Sequence, residues 1–299
     1  MMLAGDYSVE VNGVSLSYTV AGEGPLLFVT SPGWGIGSLY LQKGLKPLLQ
    51  NFKVVFITTR GSGRSGRPAD ISQMGSTHMA DDIDRLRRHL GLATIDLFGH
   101  SNGGAIAVAY AQRYGAHLGK LILTSSQLIG LDVSATINSF LDRAASDPRY
   151  NEAVPHVRQT APADDEGFRQ HFIKRLPLYL HDPKSHVPTF IEHMGTSFSA
   201  WASRAQARVD QLPEANQESK LEAIKAETLI IVGRGCWVCP VQVSESLHSG
   251  IKGSRLVVLE NTGHFPWIEE PQLFFSEINR FLDGSNGTPA AAGRAPGQG

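Results

Sequence analysis

The sequence predicts an α/β fold: a mostly parallel sheet flanked by helices and carrying a helical insertion. Three observations support that expectation. Apolar runs at 26–29, 54–57, 95–98 (interrupted by Asp96) and 121–123 read as strands buried on both faces, as in a parallel sheet covered by helices. Helical patterns near 39–50, 78–90 and 102–113 alternate with those runs, and strand, helix, strand in that order is an α/β arrangement. From about Gln127 to Lys225 the strand signal vanishes, and it resumes at Thr228.

The elements follow in order. Residues 7–11 and 14–20 alternate with period two and meet through Asn12-Gly13, the strongest short hairpin signal. The stretch after Gln127 carries Pro148, Pro155, Pro162, Pro177, Pro183, Pro188 and Pro213, so its helices are expected to be short. A helical stretch inserted into an α/β chain reads as a cap. The pattern then returns with a strand at 228–232, a helix near 241–249, a strand at 255–259 and a last helix at 271–282. The Gly/Ala/Pro/Ser-rich residues 284–299 read as a disordered tail. The expected organisation is a core of residues 1–126 and 226–283, a helical cap of 127–225, and that tail.

Composition narrows the function. Across 299 residues, 27 Lys plus Arg balance 28 Asp plus Glu, a net charge of −1. Nucleic-acid binding needs a basic surplus or stripe, so that class is set aside. Hydrophobic residues at 41% and charged ones at 18% fit a folded soluble protein. No apolar stretch approaches the roughly 20 residues of a membrane span, and the first six residues have neither the basic nor the apolar region of a secretory signal. Two cysteines are no disulfide framework. The expectation is a soluble, cytoplasmic protein acting on a small molecule, with no nucleic-acid or membrane partner.

The sharpest chemical signal is Gly99-His100-Ser101-Asn102-Gly103-Gly104. A serine between glycines, after a buried strand and before a small-residue helix, is a nucleophile elbow: the turn is tight enough to require glycine at its flanks. The following helix points N–H groups and a positive dipole end at a developing oxyanion. A hydroxyl needs a base to take its proton. His264, in Asn261-Thr-Gly-His264-Phe-Pro-Trp directly after the strand at 255–259, has the address of that base. The second oxyanion donor is expected in Thr30-Ser31-Pro32-Gly33-Trp34-Gly35, from the N–H of Gly33 or Trp34, together with that of Asn102. His100 reads as packing. The Cys and His residues have no zinc spacing, and no cofactor or metal is called for.

These pieces, with Arg60-Gly-Ser-Gly-Arg-Ser65, Gly233-Arg-Gly-Cys-Trp-Val-Cys-Pro240 and Gly263-His-Phe-Pro-Trp-Ile-Glu-Glu-Pro271, resemble the α/β-hydrolase superfamily, and within it the proline iminopeptidase-like serine hydrolases. The resemblance spans about residues 7 to 283. It implies the α/β-hydrolase fold and cofactor-free hydrolysis of peptides, esters, lactones or carbon–carbon bonds. It also implies a triad acid after the penultimate strand, where such relatives usually read Gly-Arg-x-Asp. This chain reads Gly233-Arg234-Gly235-Cys236 there.

Three readings of that position compete. Cys236 can take the acid's place, as a thiolate paired with an imidazolium. Asp132, shortly beyond the strand at 121–123, can supply the carboxylate instead, against its reading as a helix cap. Or the site is weakened or repurposed. Cys236-Trp-Val-Cys239 also has C-x-x-C redox spacing, in a chain that is otherwise hydrolase-like. The leading expectation is a serine hydrolase that cleaves an ester, lactone or amide bond of a small hydrophobic substrate through an acyl-enzyme on Ser101. Phe172, Leu178, Tyr179, Phe190, Phe198 and Trp201 are expected to supply the apolar substrate surface. The competing expectations are a non-hydrolytic enzyme of the same fold (lyase, cyclase or acyl transfer in secondary metabolism) or a ligand-binding receptor.

Overall fold

The computed structural model describes residues 2–284; the tail expected at 284–299 lies, but for Gly284, outside the described residues. Strands β1 (Gly5–Val11) and β2 (Val14–Ala21) form the expected hairpin. Asn12 and Gly13 both take positive φ, 46° and 74°, as the tight turn that matches strand twist requires. The remaining strands are β3 (Leu26–Thr30), β4 (Lys53–Ile57), β5 (Ile95–His100), β6 (Leu118–Thr124), β7 (Glu227–Gly233) and β8 (Arg255–Leu259). Among the described residues they form one eight-stranded sheet in the order β1-β2-β4-β3-β5-β6-β7-β8. Pairing is antiparallel at β1–β2 and β2–β4 and parallel from β4 through β8.

The helices interleaved with the first six strands are α1 (Leu39–Gly44), α2 (Ser76–His89) and α3 (Asn102–Tyr114). Between β6 and β7 come α4 (Ser134–Ala144), α5 (Val154–Val157), α6 (Asp165–Arg175), α7 (Pro183–Met194) and α8 (Ala200–Asp210); α9 (Val241–Gly250), α10 (Pro266–Glu269) and α11 (Pro271–Leu282) complete the chain. The single helix expected at 39–50 is broken. It is α1 followed by a 3₁₀ turn at Lys46–Gln50 with proline at its start, because Pro47 has no N–H to continue the ladder. Pro188, by contrast, lies inside α7 without ending it.

Two apolar cores cover the two sheet faces. One joins Leu27, Val29, Phe98 and Ile231 to Phe172, Leu178 and Phe190 of the segment between β6 and β7. The other joins Phe28, Val55, Leu97 and Ile230 to α2, α3 and α9.

The parallel register sets the site. Thr30 pairs with Gly99, His100 with Thr124, and Gly233 with Leu259, so the loops after β3, β5, β7 and β8 leave from one edge. The loops continue the ladder: Ser101 N–H donates to Thr124 O at 3.1 Å, and Arg234 N–H to Leu259 O at 2.8 Å. The loop after β4 is structural. Arg60 is buried and donates to the Asp82 carboxylate through Nε (2.7 Å) and Nη2 (2.5 Å), which fixes that loop to α2.

Candidate active site

Ser101 occupies the turn between β5 and α3 with φ 58° and ψ −128°, a backbone region that non-glycine residues rarely adopt. The glycines on either side make it possible. A Cβ on Gly99 would lie 2.3 Å from Gly103 O, and one on Gly103 would lie 3.0 Å from Thr30 O. The strained serine therefore sits where only glycine neighbours allow the strand to turn into the helix.

His264 is buried, and its Nδ1 lies 3.1 Å from Cys236 Sγ. Its loop is held from three sides. His264 N–H donates to Tyr179 O at 2.6 Å. Glu269 Oε2 accepts from Gly263 N–H at 2.6 Å, while Oε1 accepts from His181 N–H at 2.7 Å. Glu270 accepts from Asn261 N–H at 3.1 Å. Glu269 thus joins the histidine loop to the chain between α6 and α7.

His100 lies beside the His264 ring, centroids 4.5 Å apart. Its Nε2 is 2.9 Å from the His264 carbonyl and its Nδ1 2.8 Å from Tyr40 Oη. A carbonyl only accepts, so Nε2 carries the hydrogen and Nδ1 accepts from the tyrosine. Burial first, and then His264, hold His100 well below the usual histidine range. It is a neutral packing residue, as the sequence suggested.

Cys236 and Cys239 are free, buried thiols. Burial alone would raise Cys236. The hydrogen bond from the Cys239 thiol and the adjacent His264 imidazole reverse this and hold it well below the usual thiol range. Cys239 moves the other way, raised well above that range first by Cys236 and then by burial, and its side chain also reaches Ser101. Of the two, Cys236 is the sulfur favoured to lose its proton, and Cys239 the one favoured to keep its hydrogen and donate.

The structure corrects two sequence candidates. Asp132 is exposed, and its Oδ1 accepts from Ser134 N–H at 2.9 Å at the start of α4. It closes the turn that leads into α4 and does not line the cavity that holds Ser101 and His264. Trp34 N–H, one of the two alternatives for the oxyanion donor, instead donates to Gln206 Oε1 at 2.6 Å. Gly33 makes that approach possible: its φ is +70°, and a Cβ there would lie 2.2 Å from Gln206 Oε1. Gln206 is buried, contacts the Asn102 side-chain amide, and donates to Ser76 Oγ at 3.3 Å. Gly33 N–H remains on the loop after β3, and Asn102 N–H, in the first turn of α3, has no partner within its own helix.

Ser101, His264 and Cys239 line one cavity of about 310 Å³ with Phe172, Tyr179, Phe190, Phe198 and Trp237. Two residues expected there are elsewhere. Leu178 is core, and Trp201 lies under the Arg67 guanidinium, 4.6 Å from its centroid. Arg175, Trp237, Gln206 and Glu269 were not singled out by sequence reading. No local spacing marks them: Gln206 and Glu269 have partners distant in the chain, and Arg175 and Trp237 matter through the cavity they line.

The sequence pattern described as the alpha/beta hydrolase fold matches residues 27–271. The chain belongs to the α/β-hydrolase fold family. Among its relatives, this α/β hydrolase is 26% identical to the proline iminopeptidase PfmaB of Pestalotiopsis fici, over 92% of this chain and 98% of that protein. It is 28% identical to a 2-hydroxy-6-oxo-2,4-heptadienoate hydrolase of Pseudomonas putida, over 94% and 95%. Among solved structures, the esterase EaEST of Exiguobacterium antarcticum superposes with a TM-score of 0.70 at 22% identity, covering 91% of this α/β hydrolase and 97% of the esterase. That likeness bears on the fold alone.

Proposed function

We propose that this α/β hydrolase is a cofactor-independent serine hydrolase in which Cys236 stands in the position of the triad acid. The observation that carries the reading is the 3.1 Å contact between Cys236 Sγ and His264 Nδ1, with His264 lining a cavity that Ser101 lines as well. A thiolate at Cys236 accepts the Nδ1–H. This leaves Nε2 unprotonated to take the Ser101 proton and stabilises the imidazolium that forms. Ser101 Oγ attacks the substrate carbonyl. Gly33 N–H and Asn102 N–H donate to the oxyanion; the scissile bond then breaks as His264 passes its proton to the leaving alcohol or amine, and water, deprotonated by the same imidazole, hydrolyses the acyl-enzyme to acid and free Ser101. The helices between β6 and β7 act as a cap that sets specificity, and the aromatic walls favour an ester, lactone or amide of a small, largely hydrophobic molecule. The relatives include a proline iminopeptidase and a 2-hydroxy-6-oxo-2,4-heptadienoate hydrolase by name, so the substrate is the feature they share least.

The test is fluorophosphonate labelling with peptide mapping. Wild type is expected to label at Ser101, and Ser101→Ala not at all. Cys236→Ala removes the acceptor for Nδ1–H and is expected to slow labelling by about 10²–10⁴, the range seen when a triad acid is neutralised. Cys236→Asp is expected to keep a working triad. Wild-type rates in Cys236→Ala would overturn the assignment of Cys236.

A further inference from the structure

The cavity holds a cation for which acyl transfer has no use. Arg175, the last residue of α6, lines it together with Ser101 and His264, and it is the only Lys, Arg, Asp or Glu among the lining residues described. Its Nε is sealed from solvent and meets no hydrogen-bond partner. A guanidinium stays protonated and presents five donors, so a buried donor left unmade is costly. The C-terminal end of α6 favours a cation, but the helix gives Nε no acceptor.

A second donor shares the predicament. Trp237 Nε1 is buried without a partner, and Trp237 lines the same cavity. Tyr179 connects the two to the chemistry. Its ring packs edge-on to Trp237 and to His264, with centroids 5.5 Å away in each case, and Arg175 is close enough to lower its phenol against the larger raising effect of burial. Around Arg175 the field is positive. His171 is held below the usual histidine range by burial first, then by Arg175, His156 and Lys174. Two orphan donors, no carboxylate among the described lining residues to quench them and largely aromatic and aliphatic walls describe a place for an oxyanion on an apolar ligand.

Resting on the serine-hydrolase reading above, we infer that Arg175 and Trp237 form an anion-binding pole of the catalytic cavity, so that the substrate is an aromatic or aliphatic acyl compound bearing a carboxylate besides the bond that is cleaved. On binding, the Arg175 and Trp237 side chains turn so that the guanidinium N–H groups and the indole N–H meet the carboxylate, and the apolar body lies against Phe172 and Tyr179. The scissile carbonyl then meets Ser101. A neutral ester of the same size leaves both donors unmet.

The experiment measures binding without turnover. In Ser101→Ala, affinities for 4-phenylbutyrate and 4-phenylbutanamide are compared by calorimetry, with Arg175→Gln, Arg175→Lys and Trp237→Phe added in turn. The acid is expected to bind about ten- to a hundredfold tighter than the amide. Arg175→Gln is expected to erase that ratio, Arg175→Lys to keep part of it, and Trp237→Phe to reduce it by a smaller factor. Equal affinity for acid and amide in Ser101→Ala alone overturns the inference, whatever the second variants do. So does a ratio that survives Arg175→Gln. Fluorophosphonate labelling of wild type separates the two readings: labelling at Ser101 without an acid preference sinks the anion pole alone, and an acid preference without labelling sinks the acyl-enzyme alone.

Discussion

In the proposed triad, the negative charge on Cys236 depends on the residue three positions later. Desolvation works against a thiolate, and Cys239 offsets it by donating its own hydrogen while His264 supplies the second hydrogen bond. In the proposed mechanism, protonating the Cys236 thiolate, which is hydrogen-bonded to the Cys239 thiol, sets an acid limb of activity. The active state carries one negative charge more than the protonated state, and a donor to the thiolate stabilises that charged state and lowers the value. Removing the donor raises it. Cys239→Ala is therefore expected to move the acid limb of the kcat/KM profile to higher pH by about one unit, the equivalent of one modest hydrogen bond. A limb that stays where wild type has it would show that Cys239 does not support the thiolate. Cys236 was visible in the sequence because it replaces an expected aspartate after a buried strand. The role of Cys239 was not, because C-x-x-C spacing states proximity and says nothing of which sulfur holds the charge.

At the scale of elements, the strands were legible and the connections between distant loops were not. Runs such as Leu26 to Val29 and Val54 to Ile57 are apolar at every position, and sheet burial on both faces leaves little else for them to do. The site edge followed, since a parallel strand must release its loop at the carboxyl end. Gln206 and Glu269 act across separations that no local pattern encodes. Gln206 lies 172 residues from its partner Trp34, and Glu269 lies 88 from His181. Glu269 makes a prediction possible at this level. Its two oxygens accept from Gly263, His181 and Asp182 N–H, and burial raises its carboxyl against those donors. Glutamine offers one acceptor and turns an NH₂ toward the remaining N–H groups. Glu269→Gln is expected to cost about 1–3 kcal/mol in urea unfolding and to lower kcat by loosening the His264 loop. Unchanged stability and kcat would mean that the loop is held by Tyr179 O and Glu270 alone.

For the molecule as a whole, the question is whether the helices between β6 and β7 behave as a separate unit. Their sequence position suggests a module, but their packing does not. Phe172, Leu178 and Phe190 belong to the same apolar core as Leu27, Val29 and Phe98. Ala202 and Ala205 of α8 pack into the core on the other sheet face, with Met74 and Ile106. Polar ties cross the same boundary: Asp210 accepts from Ser76 N–H and Ser76 Oγ, each at 2.7 Å, and Gln206 closes on Trp34 N–H. A segment that feeds both cores cannot leave without opening apolar surface on each face of the sheet, and cooperative unfolding follows when no such seam exists. Urea unfolding followed by tryptophan fluorescence and by far-ultraviolet circular dichroism is therefore expected to give one transition with coincident midpoints. The four tryptophans make the comparison informative, since Trp267 reports on the apolar core, Trp201 on α8, and Trp34 and Trp237 on the cavity. An earlier fluorescence transition would mean that the helices detach first, and substrate entry could then use that opening. Coincidence would mean that the substrate enters past side chains at the cavity mouth while both cores stay closed, so that the walls around Ser101 meet every ligand in the arrangement described here.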